Sequence, residues 1–483
     1  MSQAPQERAM TASQERRLPA VSLVFALLAL ALALRVGLAL AWPTLDWPDE
    51  IFQTTEPAHR LAFGYGVVTW EWRDGVRNWA LPGFFAVVMR LTAWMAAGSA
   101  GYLHAITVLL AMVSLSVLWV ACRWGTRLFG AHAGIAAAAT CALWYDLIYY
   151  APKPLYEVIA AHLLVAGLYL GSWSDRLSRP ARLLAAGILL GIAVGLRVQL
   201  APAVLVALIF ICHRLPRRQC ASLLLSAALT ILAFGLLDAV TWSRPFVSYY
   251  RLAQVNVLAG KAARYGVASW DWYFGQLVLR VGWLLPFSLL GARRSSMLAA
   301  VAATVLATHS AIAHKEYRFV YPAVVVLVLL AALGIAEAVA WWQRRRQRAG
   351  LAVAIAAIAV MVVSVHTWNT TYVASKYDGA LPAFARLSRE PGVCGVGLRG
   401  YWFWSGGYTW LHRDVPIVPV TTATDAALSP AFNVLVTTDT LPARPAAFQL
   451  DRCFGQACLY RRSGGCTPDP AHEINAVLRA TGQ

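Results

Sequence analysis

Apolar segments long enough to cross a lipid bilayer recur along most of this 483-residue chain. An α-helix needs about 20 predominantly apolar residues to cross the hydrocarbon core, and it satisfies its own backbone polar groups there. Hydrophobic residues make up 59% of the sequence and charged residues 13%, whereas about 25% of the residues in soluble domains are charged. We therefore predict an all-α polytopic membrane protein.

Basic residues outnumber acidic residues by 41 to 23, which gives a formal net charge of +18. In a soluble protein this excess would suggest a nucleic-acid partner, but no nucleic-acid-binding motif accompanies it. The basic residues instead cluster in short breaks between apolar runs, which is typical of cytoplasmic loops. The breaks lie at 123–127, 175–182, 213–218, 293–294 and 344–348.

Placing these five breaks in the cytoplasm fixes the side of the membrane on which each intervening loop lies. About eleven spans follow, with the N-terminus inside and the C-terminus outside. They are predicted at 18–42, 102–121, 132–150, 155–173, 183–197, 200–212, 220–241, 276–291, 297–313, 319–342 and 350–368. The fifth and sixth of these are short for spans.

Two apolar runs near the N-terminus need separate interpretation. The run 21–42 is longer than the apolar core of a signal peptide and lacks a clear cleavage site, so we predict a retained first span. The run 81–97 cannot also cross, because every later basic loop would then lie outside, and Arg90 within it would be costly in hydrocarbon. It is predicted to be an interfacial or re-entrant helix on the outer side.

The composition changes after the last predicted span. We expect a cytoplasmic tail at 1–17, a transmembrane catalytic domain at 18–375 with long external loops at 43–80 and 242–276, and a soluble external domain at 376–483. Turn residues and alternating strands in the last segment predict a small α/β fold.

Four of the eight cysteines lie in the predicted external domain, where an even count suggests disulfides. Four cysteines allow three pairings. The favoured pairing joins Cys453 to Cys458, which flank a predicted hairpin turn, and Cys394 to Cys466. The other cysteines lie in or at the ends of spans, where buried thiols are common. These are Cys122, Cys141, Cys212 and Cys220.

The first external loop carries carboxylates at helical spacing just outside a predicted span. Pro48 suits the first turn of a helix, on which Asp49, Gln53, Glu56 and Arg60 would share one face. A carboxylate in a first helical turn commonly caps backbone amides, and this is the simpler interpretation of Asp49. A polar face at the outer bilayer surface is also where a lipid-phosphate donor would present its sugar.

Later in the same loop, Glu71 lies between Trp70 and Trp72. Tryptophans at a membrane interface are common and need no ligand to explain them. A carboxylate between two indoles also suits a sugar, whose apolar faces pack on rings while its hydroxyls donate to oxygens.

The segment 314–318 lies between two predicted spans on the outer side. Basic residues at helix ends often extend toward the interface, but the positive-inside rule disfavours them on the outer face. Retaining His314, Lys315 and Arg318 there therefore suggests an anionic ligand such as a phosphate. Weaker candidates on the same side are Arg197, Lys153, Lys261 and Arg264.

Three segments together resemble glycosyltransferase family 22, which includes the mannosyltransferases of the GPI-anchor and dolichol pathways. The first combines Pro48-Asp49-Glu50, Phe52-Gln53 and Glu56 with Gly66 and Thr69-Trp70-Glu71-Trp72. The second is Tyr265-Gly266 with Trp270-Asp271-Trp272-Tyr273-Phe274, and the third is His314-Lys315-Glu316-Tyr317-Arg318-Phe319. The resemblance covers about Trp47 to Pro322, and Trp47 itself stands where many members have histidine.

The resemblance implies a GT-C fold and inverting transfer of a hexose, mannose in this family. The implied donor is a polyprenyl-phosphate sugar, and the acceptor is a glycan, lipid or protein. By position, Asp49 would be the general base and Glu50 its companion, and residues 314–318 would lie near the donor. Together with the residues above, the predicted substrate-binding set is Gln53, Glu56, Trp70, Glu71, Trp72, Arg197, Tyr265, Trp270, His314, Lys315, Glu316 and Arg318.

The sequence requires no cofactor. Asp49 and Glu50 could hold a divalent ion, but a lone acidic pair is weak evidence for a metal site, and none is predicted. A composition rich in Ala and Arg suggests a bacterial source. The chain would then lie in the inner membrane, with its active site and C-terminal domain on the periplasmic side.

A transporter or flippase of lipid-linked sugars is the alternative class, because it would share the spans and the buried charges. Many transporters show an inverted internal repeat, and we find none in this sequence.

Overall fold

The structure is a computed structural model. It describes residues 21–172, 179–372, 379–400, 404–421, 428–437 and 448–482. Over these residues it is a helical membrane protein with a small sheet near the C-terminus, as predicted.

The helices as far as the second external loop are α1 (Val21–Ala41), α2 (Glu56–Phe63), α3 (Trp70–Arg73), α4 (Ala80–Thr92), α5 (Ala100–Phe129), α6 (Ala131–Leu143), α7 (Tyr145–Tyr149), α8 (Tyr156–Ser172), α9 (Arg179–Leu196), α10 (Ala201–Cys212) and α11 (Arg217–Trp242). The helices that follow are α12 (Val247–Ala253), α13 (Trp272–Val281), α14 (Leu285–Ala292), α15 (Ser296–Ser310), α16 (Tyr321–Arg346) and α17 (Ala349–Thr371). The last part contains α18 (Ala380–Leu387), β1 (Val396–Arg399), α19 (Gly407–Leu411), β2 (Ile417–Val420), β3 (Val434–Thr437), β4 (Gln449–Phe454), β5 (Ala457–Arg461) and α20 (Ile474–Thr481).

Six helical stretches in the described residues are long and apolar enough to cross a membrane by themselves. They are Val21–Ala41, Ala100–Phe129, Arg217–Trp242, Trp272–Ala292, Tyr317–Arg346 and Ala349–Thr371. Shorter apolar helices account for the other five predicted spans, since α6 to α10 and α15 coincide with them. The 13 residues of α4 would extend only about 20 Å, and an interfacial position for this helix stays a prediction.

Proline and glycine positions set several helix boundaries. Pro202, Pro286 and Pro322 lie in the first turns of α10, α14 and α16, where the N–H that proline lacks is not needed. Gly130, with a φ of 93°, makes the turn between α5 and α6 that other residues adopt only with strain.

The chain divides into two compact units. Unit 1 comprises the described residues of 1–37, 109–236 and 254–372, and unit 2 comprises those of 38–108, 237–253 and 373–483. In unit 1, α16 is the central helix. Of the residues in its most apolar 18-residue stretch, 83% are buried, whereas only 17% are buried in the most apolar 18-residue stretch of α17. The exposed apolar surface of α17 suits contact with lipid.

Unit 2 contains a five-stranded sheet in the order β2-β1-β3-β5-β4. The strand β1 is parallel to β2 and β3, and β5 is antiparallel to β3 and β4. One face of the sheet packs in a buried apolar cluster that also includes four residues of the first external loop. They are Leu45, Ile51, Phe52 and Val67. The first loop and the C-terminal segment therefore share one hydrophobic core.

Disulfides join Cys394 to Cys466 and Cys453 to Cys458, which are the pairs that the sequence favours. Cys453 and Cys458 are direct cross-strand partners in the β4–β5 hairpin, whose turn has Gly455 at a φ of 55°.

The expectation that the remaining cysteines are thiols holds for Cys122 and Cys141 and is wrong for Cys212 and Cys220. The turn between α10 and α11 brings the Cα atoms of Cys212 and Cys220 within 5.1 Å, and the two are bonded. A lasting disulfide and a cytoplasmic position for 213–218 are in conflict, because cytosolic thiols are kept reduced.

Removing the Cys394–Cys466 bond should destabilise the C-terminal sheet more than removing Cys453–Cys458. The first bond closes a loop across 72 residues and the second across 5, so chain entropy predicts losses of about 4 and about 2 kcal/mol. Native-state hydrogen exchange of the β1 and β3 amides in the paired Cys→Ser variants measures both losses. Equal losses would contradict the entropic account.

Candidate active site

The loop 43–80 of unit 2, which the sequence predicts to be external, forms a wide π-helical turn, Glu50–Thr55, that continues into α2. The N–H of Glu56 donates to the carbonyl oxygen of Ile51, five residues earlier. Pro57 follows and has no N–H to donate, and the carbonyl oxygen of Phe52 instead accepts from the indole Nε1 of Trp72 at 2.9 Å. Tertiary contacts thus satisfy a carbonyl that a regular α-helix would have used.

This wide turn changes the faces predicted from a regular helix. Gln53 and Glu56 are buried, Asp49 is half-buried and Arg60 is exposed. The π-turn rotates Glu56 and Arg60 relative to Asp49, so the spacing of a regular helix does not apply between them, and a shared face for all four side chains stays a prediction.

Asp49 and Glu50 differ in their surroundings despite being adjacent. Glu50 is 3% exposed, and its Oε1 accepts from the backbone N–H groups of Asp46 at 2.9 Å and Trp47 at 3.2 Å. Asp49 begins the turn without a capping hydrogen bond from its side chain, so the simple capping role is not observed. Glu50 secures the loop, and Asp49 is the more accessible carboxylate of the pair.

The aromatic segment 70–72 is packed into unit 2. Trp70 and Trp72 are 8% and 5% exposed, and the ring of Trp72 lies 4.5 Å from that of Trp79. Glu71 accepts from Arg77 Nη2 at 2.6 Å and from Gln53 Nε2 at 3.3 Å. The predicted sugar contacts of these residues stay predictions, and the contacts observed here stabilise the loop.

Glu56 is completely buried and accepts four hydrogen bonds. Its Oε1 accepts from the N–H groups of Val67 at 2.8 Å and Tyr408 at 3.0 Å. Its Oε2 accepts from the N–H and Oγ1 of Thr409 at 2.8 and 2.7 Å. Burial raises the pKa of this carboxyl, and the four donors oppose that effect. A sugar contact by Glu56 gains no support from this position.

A second group of charged residues lies in unit 1, where two carboxylates hold two arginines. Glu157 Oε1 lies 2.9 Å from Arg197 Nη2 and 3.7 Å from Arg318 Nη1. Glu316 Oε2 accepts from Arg318 Nε at 2.6 Å, and its Oε1 lies 3.0 Å from His314 Nε2. Both arginines are less than 10% exposed. Guanidinium groups held in this way are positioned to bind a planar anion or a phosphate.

Side chains of the segment 314–316 contact backbone carbonyl oxygens of neighbouring segments. His314 Nδ1 lies 2.7 Å from the carbonyl oxygen of Gly266. The Lys315 ammonium donates to the carbonyl oxygen of Ser310, the last residue of α15, at 3.0 Å and to that of Ile312 in the turn that follows. Burial lowers the pKa of Lys315. Although burial alone would raise the pKa of Glu316, Arg318 and His314 lower it to about 2. The hydrogen bond with Glu316 raises the pKa of His314.

The remaining predicted residues of unit 1 differ in exposure. Tyr265 and Trp270 are 61% and 69% exposed, and the Tyr265 ring lies 6.3 Å from that of His314. Lys153 is buried, with its ammonium 4.7 Å from the centre of the Tyr149 ring.

Sequence reasoning missed three charged residues near this group: Asp146, Glu157 and Arg280. Asp146 accepts from the Tyr317 hydroxyl at 2.5 Å, and Arg280 lies over the Tyr317 ring at 4.1 Å. A usable signal existed, because Asp146 and Glu157 are carboxylates inside predicted spans, where ionisable residues mark functional sites.

Within the described ranges there is no cluster of three or more His, Cys, Asp or Glu side chains arranged to hold a metal ion.

Comparison with known proteins identifies a family. A sequence model of the Alg9-like mannosyltransferase family matches residues 26–391. GPI mannosyltransferase 3 of Yarrowia lipolytica is 27% identical over 439 residues, which are 84% of this chain and 79% of the yeast protein. GPI alpha-1,2-mannosyltransferase 3 of Xenopus laevis is 27% identical over 311 residues, covering 61% of this chain and 57% of the frog protein. The match thus spans less than two thirds of the frog protein.

Among solved structures, the fold is similar to that of ArnT from Cupriavidus metallidurans. The form of ArnT bound to undecaprenyl phosphate gives a TM-score of 0.61 at 12% identity, covering 93% of this chain and 100% of ArnT. The apo form gives a TM-score of 0.57 at 13% identity, covering 93% of this chain and 98% of ArnT. These likenesses establish the GT-C fold that the sequence predicts.

Replacing Glu316 with Gln should lower the pKa of His314, because the charged hydrogen bond that raises that pKa is lost.

The lowered pKa of Glu316 stabilises the fold at pH values above 4.5, the ordinary pKa of a glutamate, and this stabilisation is lost as the pH falls toward about 2. The raised pKa of His314 stabilises the fold below 6.5, and this is lost as the pH rises through the raised value. Histidine NMR titration measures the change, with Glu337→Gln as the control. An unchanged His314 pKa in Glu316→Gln would contradict the assignment.

Proposed function

Because the chain belongs to the Alg9-like mannosyltransferase family, we propose that it moves mannose from a polyprenyl-phosphate carrier to a glycan, lipid or protein acceptor. The observation that carries this proposal is the group of buried, carboxylate-held arginines in unit 1, which suits a phosphate. The undecaprenyl phosphate bound by ArnT, a protein of similar fold, supports a lipid-phosphate donor.

The proposed reaction is a single in-line displacement. Asp49 accepts the proton of the acceptor hydroxyl while that oxygen forms a bond to the anomeric carbon of the sugar. The bond between that carbon and the phosphate oxygen breaks, and its electron pair leaves with the lipid phosphate. One displacement inverts the anomeric centre, so a β-linked donor gives an α-linked product. Asp49 is half-buried, whereas Glu50 is 3% exposed and its Oε1 accepts from two backbone N–H groups, which favours Asp49 as the base.

The leaving phosphate needs charge stabilisation more than it needs a proton. Arg197, Lys315 and Arg318 carry three positive charges against the two carboxylates Glu157 and Glu316. The excess positive charge is fixed before the reaction, which is the arrangement that stabilises developing negative charge most effectively. His314, whose pKa is raised, adds to it when protonated.

The protein is a multi-pass membrane protein. We place Asp49 and the group around Arg318 on the external side of the cytoplasmic membrane, because the basic breaks at 123–127, 175–182, 293–294 and 344–348 favour that orientation; the break at 213–218, beside the Cys212–Cys220 bond, is left out of this argument. The lipid bilayer would deliver the donor by lateral diffusion.

Asp49→Asn should lower the turnover of a polyprenyl-phosphate-mannose donor by about 10²–10⁴-fold, because the general base is lost. Radiolabelled sugar transfer in membranes or detergent measures the effect. Asp74→Asn is a matched control, since Asp74 is exposed in the same loop and its carboxylate has no proposed role. Full activity in Asp49→Asn would refute the assignment of the base.

Arg318→Gln should reduce kcat/KM for the donor by about ten- to a hundred-fold, which is the usual effect of losing one hydrogen bond to a charged group. The KM for the acceptor should change little. Arg318→Lys keeps the charge and should recover part of the loss, and Arg244→Gln, an exposed cation outside the group, serves as the control. An equal effect on donor and acceptor would argue against a phosphate-binding role.

A further inference from the structure

We propose that the C-terminal domain is a positioning element for Asp49, acting through a buried latch centred on Glu56. The latch consists of Glu56 with Tyr408 and Thr409, and it is reinforced by contacts of His412 and Asn475. The proposal rests on the proposed function, because it takes Asp49 as the general base.

The centre of the latch joins segments that are far apart in sequence. Three of the four hydrogen bonds to Glu56 come from Tyr408 and Thr409, which lie 352 and 353 residues later in the chain. Gly407 precedes them at a φ of 55°, and a Cβ at this position would lie 2.5 Å from Glu56 Oε2. Only glycine therefore allows the start of α19 to approach the carboxylate so closely.

Two further contacts fix the same loop. The side-chain amide of Asn475 accepts from the N–H of Val68 at 2.8 Å and donates to the carbonyl oxygen of Gly66 at 3.0 Å. His59 Nε2 lies 3.0 Å from His412 Nδ1. Burial lowers the pKa of both imidazoles, to about 3 for His59, so this contact is one between neutral rings.

The backbone of the π-turn connects Glu56, at the centre of the latch, to Asp49. The N–H of Glu56 closes that turn on Ile51, and Asp49 begins it. Ile51 and Phe52, which lie between them, pack in the hydrophobic core shared with the C-terminal sheet. A shift of Glu56 is therefore transmitted to the backbone that carries Asp49.

The effect on catalysis follows from the sensitivity of proton transfer to position. A displacement of about 1 Å can lower the rate about a hundred-fold even when the altered residue is remote. Because Glu56 does not touch the sugar in this account, loosening it should lower kcat and leave the KM for the donor unchanged. A role confined to the stability of the domain would lower the amount of folded enzyme without altering kcat per folded molecule.

Thr409→Val and Glu56→Gln, made in the whole 483-residue chain, test the proposal. Thr409→Val removes one donor to Glu56 and keeps the size of the side chain, and Thr409→Ser restores that donor. Glu56→Gln places an amide NH2 against groups that are themselves donors. Asp451→Asn is the matched control, because Asp451 is an exposed carboxylate of the same domain that pairs with Arg461.

We expect Thr409→Val to lower kcat about ten-fold and Glu56→Gln about a hundred-fold, with donor KM within two-fold of the parent. Thr409→Ser and Asp451→Asn should stay within two-fold of the parent kcat. Hydrogen exchange of residues 46–60, measured by mass spectrometry on the same samples, should become faster in Thr409→Val and Glu56→Gln only.

Faster hydrogen exchange of residues 46–60 with an unchanged kcat would overturn the positioning role. A loss of kcat of the same size in Thr409→Val and Thr409→Ser would overturn it as well. If Glu56→Gln does not fold, the comparison of kcat between Thr409→Val and Thr409→Ser decides whether the latch positions Asp49. Full activity in Asp49→Asn would refute the proposed base and with it the catalytic role of the latch. The exchange measurement would still show whether the latch orders the loop, so the two failures are distinguishable.

Discussion

The organisation of unit 2 depends on one buried carboxylate. A charged group removed from water is stable only where donors replace its lost hydration. Glu56 meets this requirement with four donors, three of them supplied by the C-terminal domain. The conformation of loop 43–80 is therefore stabilised by the C-terminal segment that supplies these donors. The same requirement explains why the loop residues Ile51 and Phe52 belong to the core of the C-terminal sheet.

In unit 1 the buried charged groups are cations, and their partners are carboxylates. Its buried arginines are held by Glu157 and Glu316, whose charges oppose the cost of burying them. The arginines are thus fixed before any ligand arrives, and a phosphate would bind without the entropy cost of ordering long side chains. Both units place buried charged groups by giving them partners within the same unit.

The parts of the structure that depend on local pattern could be predicted. The helical spans follow from the length of the apolar runs, and the basic segment 314–318 could be recognised from its charge between two predicted spans. The parts that depend on distant partners could not. Nothing near Glu56 in sequence reveals that Thr409 will donate to it, and a regular helical wheel fails where Pro57 and Trp72 favour a π-turn. The sequence alone does not distinguish Glu157 from an ordinary residue in the first turn of an apolar helix, although a carboxylate at the start of a span is a signal of function.

The stereochemistry of the product tests the central claim most directly. Purified protein would be supplied with a polyprenyl-phosphate β-mannose donor and an acceptor, and the new glycosidic bond would be examined by NMR. A single displacement with one carboxylate base predicts an α-linked product. A β-linked product would require two displacements and a covalent intermediate, and it would contradict the account.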